Sequence, residues 1–189
     1  MKRHLLLPIL FLLTLVFATT LSAAGPPQPG GQLPEFKFPV PSDRTDKGYL
    51  GLSGWGNTFR IPDIKARVVI LEILSMYCPF CQKEAPLVNN LYEAIDKDPQ
   101  LKGKVKILGI GAGNSTYEVE VFRKKYSIPF PVVPDPDYAA YNLYGEVRTP
   151  YFIAVKINDN GTHEVIYSKL GGVGDIPAFL ASLKMPAGL

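Results

Sequence analysis

Short, nearly unbroken apolar runs alternate with longer stretches of helical spacing through most of this chain. Arg67–Leu74 carries Val-Val-Ile-Leu-Glu-Ile-Leu and reads as a strand buried on both faces. Leu87, Val88, Leu91 and Ile95 then recur on one side of a helix over Pro79–Lys97. Lys104–Gly111 is a second buried strand. Ser115–Tyr126 is a helix with Ser115 as its N-cap and Val119, Phe122 and Tyr126 on one face. Strands joined by helices predict a parallel sheet with right-handed crossovers. After a short extended piece near Pro131–Val133, Tyr138–Tyr144 reads as a short helix. The pattern then changes. Tyr151–Ile157 is a strand, Asn158-Asp159-Asn160-Gly161 a turn, and His163–Lys169 the returning strand. Asp175 opens a terminal helix through Leu183. A βαβ unit is thus followed by a ββα unit. Upstream, Glu35–Val40 alternates as an edge strand bounded by prolines. Residues 41–66 mix turns with extended pieces and one helical turn at Pro62–Lys65.

The N-terminus follows neither pattern. Lys2 and Arg3 precede an apolar run from Leu5 to Ala18, and Ser22-Ala23-Ala24 offers small residues before Gly25. Residues 1–24 therefore read as a cleaved secretory signal. An uncleaved anchor fits less well, because the run is short of the roughly 20 residues a span needs and Pro8 interrupts it. Residues 25–34 are rich in Pro and Gly and read as a flexible linker to a domain over 35–189. With 189 residues, 47% of them hydrophobic and 20% charged, the chain fits one globular domain behind a leader. Lys and Arg number 20 against 17 Asp and Glu, and loss of Lys2 and Arg3 brings the remainder close to neutrality. No basic block is left to favour nucleic acid or an anionic membrane. Export into a periplasmic or other oxidising compartment would let a disulfide persist.

The only two cysteines form Cys78-Pro79-Phe80-Cys81, between the first buried strand and its helix. A thiolate at a helix N-terminus is stabilised by unpaired backbone N–H groups and the helix dipole. Pro79 suits the first helical position, where its missing N–H costs nothing. Cys78 is therefore the expected nucleophile, and Cys81, one turn further in, the resolving thiol. Zinc would normally need four ligands, yet only His4 and His163 accompany the pair, so no metal site is expected. Gln82 stands where haem attachment requires His. An inert structural disulfide closing so short a loop would remove little chain entropy.

Three further features gather around the pair. Glu72 is an acid in an otherwise apolar strand. Burial would raise its pKa and suit it to exchange protons with Cys81; the plainer alternative is a margin residue paired with a lysine. Glu84, three residues after Cys81 on the same helix, could bring a carboxylate to the site or simply face solvent. Pro86 predicts a kink, and Thr149-Pro150 precedes the third long strand, where a cis bond is the minority outcome for an isolated X-Pro pair.

Strand, CxxC, helix with Pro86 five residues after the second cysteine, and Thr-Pro before a strand together resemble the thioredoxin superfamily, most closely its exported TlpA-like oxidoreductases. The resemblance covers roughly residues 33–184. It implies an α/β thioredoxin-like fold: a central mixed sheet flanked by helices, with an N-terminal extension. It further implies that Cys78 attacks, Cys81 resolves, and Glu72 and Glu84 match the family's acids. Thr149 and Pro150 would hold substrate, with Tyr77, Pro79 and Phe80 around the cysteines. The usual Trp before the first cysteine is Tyr77 here, and Pro-Phe is typical of no single branch. The implied activity is exchange with a disulfide or dithiol of a client protein, more in the reducing direction. A membrane electron donor would recharge a monomer that needs no cofactor. Two rivals remain: a thiol peroxidase, for which Ser75 lies three residues before Cys78 and Arg148 supplies a cation, and a non-enzymatic binding module.

Overall fold

A computed structural model describes residues 25–189 apart from Trp55. The signal expected at 1–24 lies outside the described residues. The elements in order are β1 (Phe38–Pro39), α1 (Arg44–Leu50), β2 (Thr58–Phe59), a 3₁₀ turn (Ile61–Asp63), β3 (Val68–Leu74), α2 (Pro79–Lys97), β4 (Val105–Ala112), α3 (Thr116–Tyr126), β5 (Val132–Asp135), α4 (Ala139–Leu143), β6 (Tyr151–Ile157), β7 (His163–Leu170) and α5 (Ile176–Ala187). Five strands form one mixed sheet in the order β5-β4-β3-β6-β7. β3, β4 and β5 run parallel, while β6 and β7 are antiparallel to their neighbours. β3 is therefore central, which is why its seven residues are all buried.

Period-two geometry divides the sheet residues between two cores. Val68, Ile70 and Leu74 join Phe152 and Ala154 beneath Val88, Leu91, Phe179 and Leu183 of α2 and α5. Val69, Leu71 and Ile73 join Leu108, Ile110, Ile153 and Val155 on the opposite face, against Phe38, Leu50, Ala140 and Tyr144. From residue 67 onward the predicted strands and helices appear within a residue or two of their expected bounds, except that α5 continues to Ala187, while the edge strand expected at Glu35–Val40 shortens to Phe38–Pro39. α2 continues past Pro86 to Lys97. Among the described residues, no helix is long and apolar enough to cross a membrane.

Two stretches differ from expectation. Residues 41–66 contain α1, whose first turn is capped by Asp43 accepting from Thr45 N–H and Asp46 N–H. Tertiary contacts hold it. Asp46 takes two hydrogen bonds from Arg123 of α3, at 2.8 and 3.0 Å, and the Tyr49 hydroxyl accepts Ile107 N–H of β4 at 2.8 Å. The helical turn expected at Pro62–Lys65 is instead the 3₁₀ turn at Ile61–Asp63. The segment 25–34, expected as a flexible linker, packs on the domain. Leu33 is buried in the second core. Gly30 N–H donates to Val165 C=O and Val165 N–H to Gly31 C=O, pairing part of the outer edge of β7. Edge pairing and one apolar anchor outweigh the linker composition.

Candidate active site

β3 ends at Leu74, and Ser75, Met76 and Tyr77 carry the chain to α2. Asn114, fully buried at the end of β4, fastens this exit: its Oδ1 accepts Met76 N–H at 2.8 Å and its Nδ2 donates to Ser75 Oγ at 3.4 Å. Gln82 Nε2 donates to Met76 C=O at 2.7 Å from the other side. The loop thus delivers Cys78 as the N-cap of α2, with its Sγ accepting Cys81 N–H at 3.4 Å. Nothing in the sequence marked Asn114; its role depends on β4 ending beside β3, which the register Leu74↔Gly111 produces.

The two cysteines lie within 3.1 Å of each other, well beyond the roughly 2.05 Å of a disulfide bond, and both are free thiols. Their surroundings push them apart in acidity. Cys78 is partly exposed. Burial opposes its ionisation, but the Thr149 hydroxyl, the Cys81 thiol and the backbone N–H groups of Cys81 and Phe80 outweigh it, so its pKa falls below the ordinary thiol value. As a thiol it donates to Thr149 C=O at 3.3 Å, a contact the thiolate gives up. Cys81 is fully buried, and burial drives its pKa far above the ordinary value, with the Cys78 sulfur adding to the rise. Of the two thiols, Cys78 is thus the more readily ionised.

Glu72 is 2% exposed. By register it lies opposite Phe152 on β6 and Gly109 on β4, and by alternation it shares the face of Ile70 and Leu74 that packs with Cys81. Among the described residues it makes no ion pair and no side-chain hydrogen bond, so the alternative of a lysine partner at a sheet margin falls. Burial, with a smaller contribution from the Glu84 charge, pushes its pKa up to about 8. Glu84 is half-buried, and its Oε1 accepts Val173 N–H at 2.8 Å from the loop after β7. Its carboxylate is therefore spent largely on that backbone. A Cβ at Gly172 would lie 2.2 Å from Glu84 Oε2, so any larger residue there would displace the Glu84 carboxylate from Val173 N–H.

The Thr149–Pro150 peptide bond is cis. It places the Thr149 carbonyl on Cys78 and puts both residues in the wall of a cavity of about 530 Å³, together with Phe80, Glu84 and Leu87. Phe80, two residues after Cys78, is 73% exposed. Pro79 occupies the first turn of α2. Tyr77 is also exposed, and its hydroxyl donates to Glu118, which simultaneously accepts Ser115 N–H and Ser115 Oγ in the capping box of α3. These donors pull the Glu118 carboxyl down to about 2. Tyr77 therefore ties the cysteine loop to α3. Among the described residues no cluster of His, Cys, Asp and Glu could hold a metal ion. His163 bonds Leu33 C=O, 2.9 Å away, far along the chain from the cysteines.

The sequence model of the AhpC/TSA family matches residues 29–165. The thiol–disulfide oxidoreductase ResA of Geobacillus thermodenitrificans is 29% identical over 129 residues, spanning 68% of this chain and 70% of that one. ResA of Bacillus subtilis is 30% identical over 89 residues, 47% of each chain. Among solved structures, StoA from Bacillus subtilis is 25% identical with a TM-score of 0.51, over 67% of this chain and 89% of its own. A secreted Mycobacterium tuberculosis disulfide oxidoreductase homologous to E. coli DsbE matches at 19% identity and a TM-score of 0.53, over 82% of this chain and 96% of its own, a likeness of fold alone. The fold is the thioredoxin-like one, a mixed sheet flanked by helices.

Proposed function

The chain belongs to the AhpC/TSA family, and from that membership together with the paired thiols we propose that it is an exported thiol–disulfide oxidoreductase that reduces disulfides of client proteins. The observation that carries the reading is the division of labour at α2: an accessible Cys78 of lowered pKa in contact with a buried Cys81 of raised pKa. The relatives named as thiol–disulfide oxidoreductases support the same activity.

The Cys78 thiolate attacks one sulfur of the client disulfide. That S–S bond breaks, its electron pair leaves on the second client sulfur, and a Cys78–client disulfide forms against Thr149 and Pro150. Glu72 takes the proton of Cys81 as Cys81 Sγ attacks Cys78 Sγ. The mixed disulfide breaks and its electron pair leaves on the first client sulfur. The client has gained two electrons, and Cys78–Cys81 ends as a disulfide. A membrane electron donor then returns two electrons to the pair. Glu84 contributes by raising the Glu72 pKa across the site, while Tyr77, Pro79 and Phe80 meet the client at the rim.

The direction of flow is tested by the Cys78–Cys81 potential against a glutathione or dithiothreitol buffer. A strongly reducing value supports the assignment, and one near about −120 mV, as in dedicated oxidants, refutes it. Export is tested by locating the full-length protein in cell fractions and sequencing its mature N-terminus, expected at Gly25. A peroxidase would need Cys78 alone, so peroxide consumption that survives Cys81→Ser would replace this reading with that one.

A further inference from the structure

Beside Cys78 the cavity of about 530 Å³ has an apolar wall of Phe80, Leu87 and Leu170 and two cations at its lining, Lys83 and Arg148. Phe80 is 73% and Leu170 39% exposed, so both present apolar surface to a ligand at the cavity. Lys83 and Arg148 are both exposed, and among the described residues neither is in an ion pair. The one carboxylate in the lining, Glu84, is turned to the Gly172–Val173 backbone and accepts Val173 N–H at 2.8 Å. The lining thus carries an excess of positive charge next to apolar surface. Arg148 immediately precedes Thr149, and Lys83 follows Cys81 by two residues, so both cations sit close in sequence to the groups that touch the reacting sulfur.

We propose that this cavity selects client segments in which the reactive cysteine is accompanied, one or two residues away, by an acidic and an apolar side chain. The apolar side chain fills the Phe80–Leu87–Leu170 wall, and the carboxylate is met by Lys83 and Arg148. An extended client advances about 3.3 Å per residue, so one or two residues carry its neighbours from Cys78 into a cavity that begins at Phe80 and Thr149. The proposal rests on Cys78–Cys81 being an exchange pair, and it adds the chemical class of the client.

The test uses three disulfide-bonded peptides that share a leucine and differ only in a glutamate, glutamine or lysine two residues from the cysteine. Each rate constant for reduction by the full domain is divided by the rate constant for dithiothreitol, which removes the effect of the neighbouring charge on the leaving thiol. The glutamate peptide is expected to react about fivefold faster than the glutamine peptide, and the lysine peptide slower still, at low ionic strength. The gap narrows in 1 M salt, and in Lys83→Glu/Arg148→Glu the order inverts. Equal normalised rates for the three peptides would overturn the selectivity while leaving the oxidoreductase reading in place. Failure to reduce any of them, with no mixed disulfide trapped by Cys81→Ser, would overturn both. If the double variant is poorly folded, the salt dependence of the unaltered protein still decides: a gap that persists in 1 M salt refutes a charge-based preference.

Discussion

Glu72→Gln tests the buried acid through stability and chemistry at once. With an unfolded pKa of 4.5 and a folded one of about 8, the unfolded chain gives up this proton at lower pH than the folded one does. Between those values the unfolded state binds fewer protons, so the carboxyl withdraws stability as pH rises through that window. Linkage puts the loss at about 1 kcal/mol at pH 5, about 3 kcal/mol at pH 7 and just under 5 kcal/mol at pH 9. Glutamine keeps the shape and does not titrate. Any constant cost of the amide, and the titration shared by both proteins, cancels when the difference between variant and wild type is followed with pH. Urea unfolding of the reduced proteins should show the variant gaining about 4 kcal/mol on the wild type between pH 5 and pH 9, nearly all of it below pH 8.5. Parallel stability profiles would refute the burial of an unpaired, titrating acid. In the same variant, release of a pre-formed Cys78 mixed disulfide should be slowed and should lose a rise with pH centred near 8, while the initial attack by Cys78 is little changed. An unaltered release profile would remove Glu72 from the proton path.

Other consequences are simpler to read. Iodoacetamide should modify Cys78 with a pH midpoint below the 9.0 of an ordinary thiol and leave Cys81 largely unmodified in the folded protein; a midpoint at or above that value contradicts the thiolate-stabilising contacts. Asn114→Ala leaves Met76 N–H without its acceptor and should cost about 1–3 kcal/mol in urea unfolding, with a changed Cys78 alkylation rate because the loop before α2 is released. Asp46→Ala strips Arg123 of its bidentate partner, while among the described residues Arg123 Nε already lacks one. The expected loss is about 2–4 kcal/mol, with little effect on Cys78 reactivity, and a neutral result would make α1 a passive cover.

The elements around the site were legible because their signals are local and mutually consistent. Val68–Leu74 is a short, bounded run of β-branched and apolar residues that reads as a buried strand, Ser115 reads as an N-cap, and Pro79 after Cys78 suits a helix start. The proposal of an attacking and a resolving thiol rests on that start and on the family resemblance. α1 was not legible, since Arg44–Leu50 includes Gly48 and lacks an apolar repeat; its stability comes from Arg123 and Ile107, 77 and 58 residues away from their partners. The same holds for residues 25–34, whose composition promises disorder but whose Leu33 and Gly30–Gly31 are claimed by a core and a strand edge. By itself, then, the sequence determined where strands and helices form and that a thiol pair opens α2, because hydrophobic period and capping act over a few residues. The tertiary structure alone decided that Thr149–Pro150 is cis against Cys78, that Asn114 fastens the loop before it, and that Glu84 turns to Val173 while Glu72 stays buried with no partner among the described residues. Those outcomes depend on which distant residues share a desolvated space, and burial and hydrogen bonding across the sheet set them.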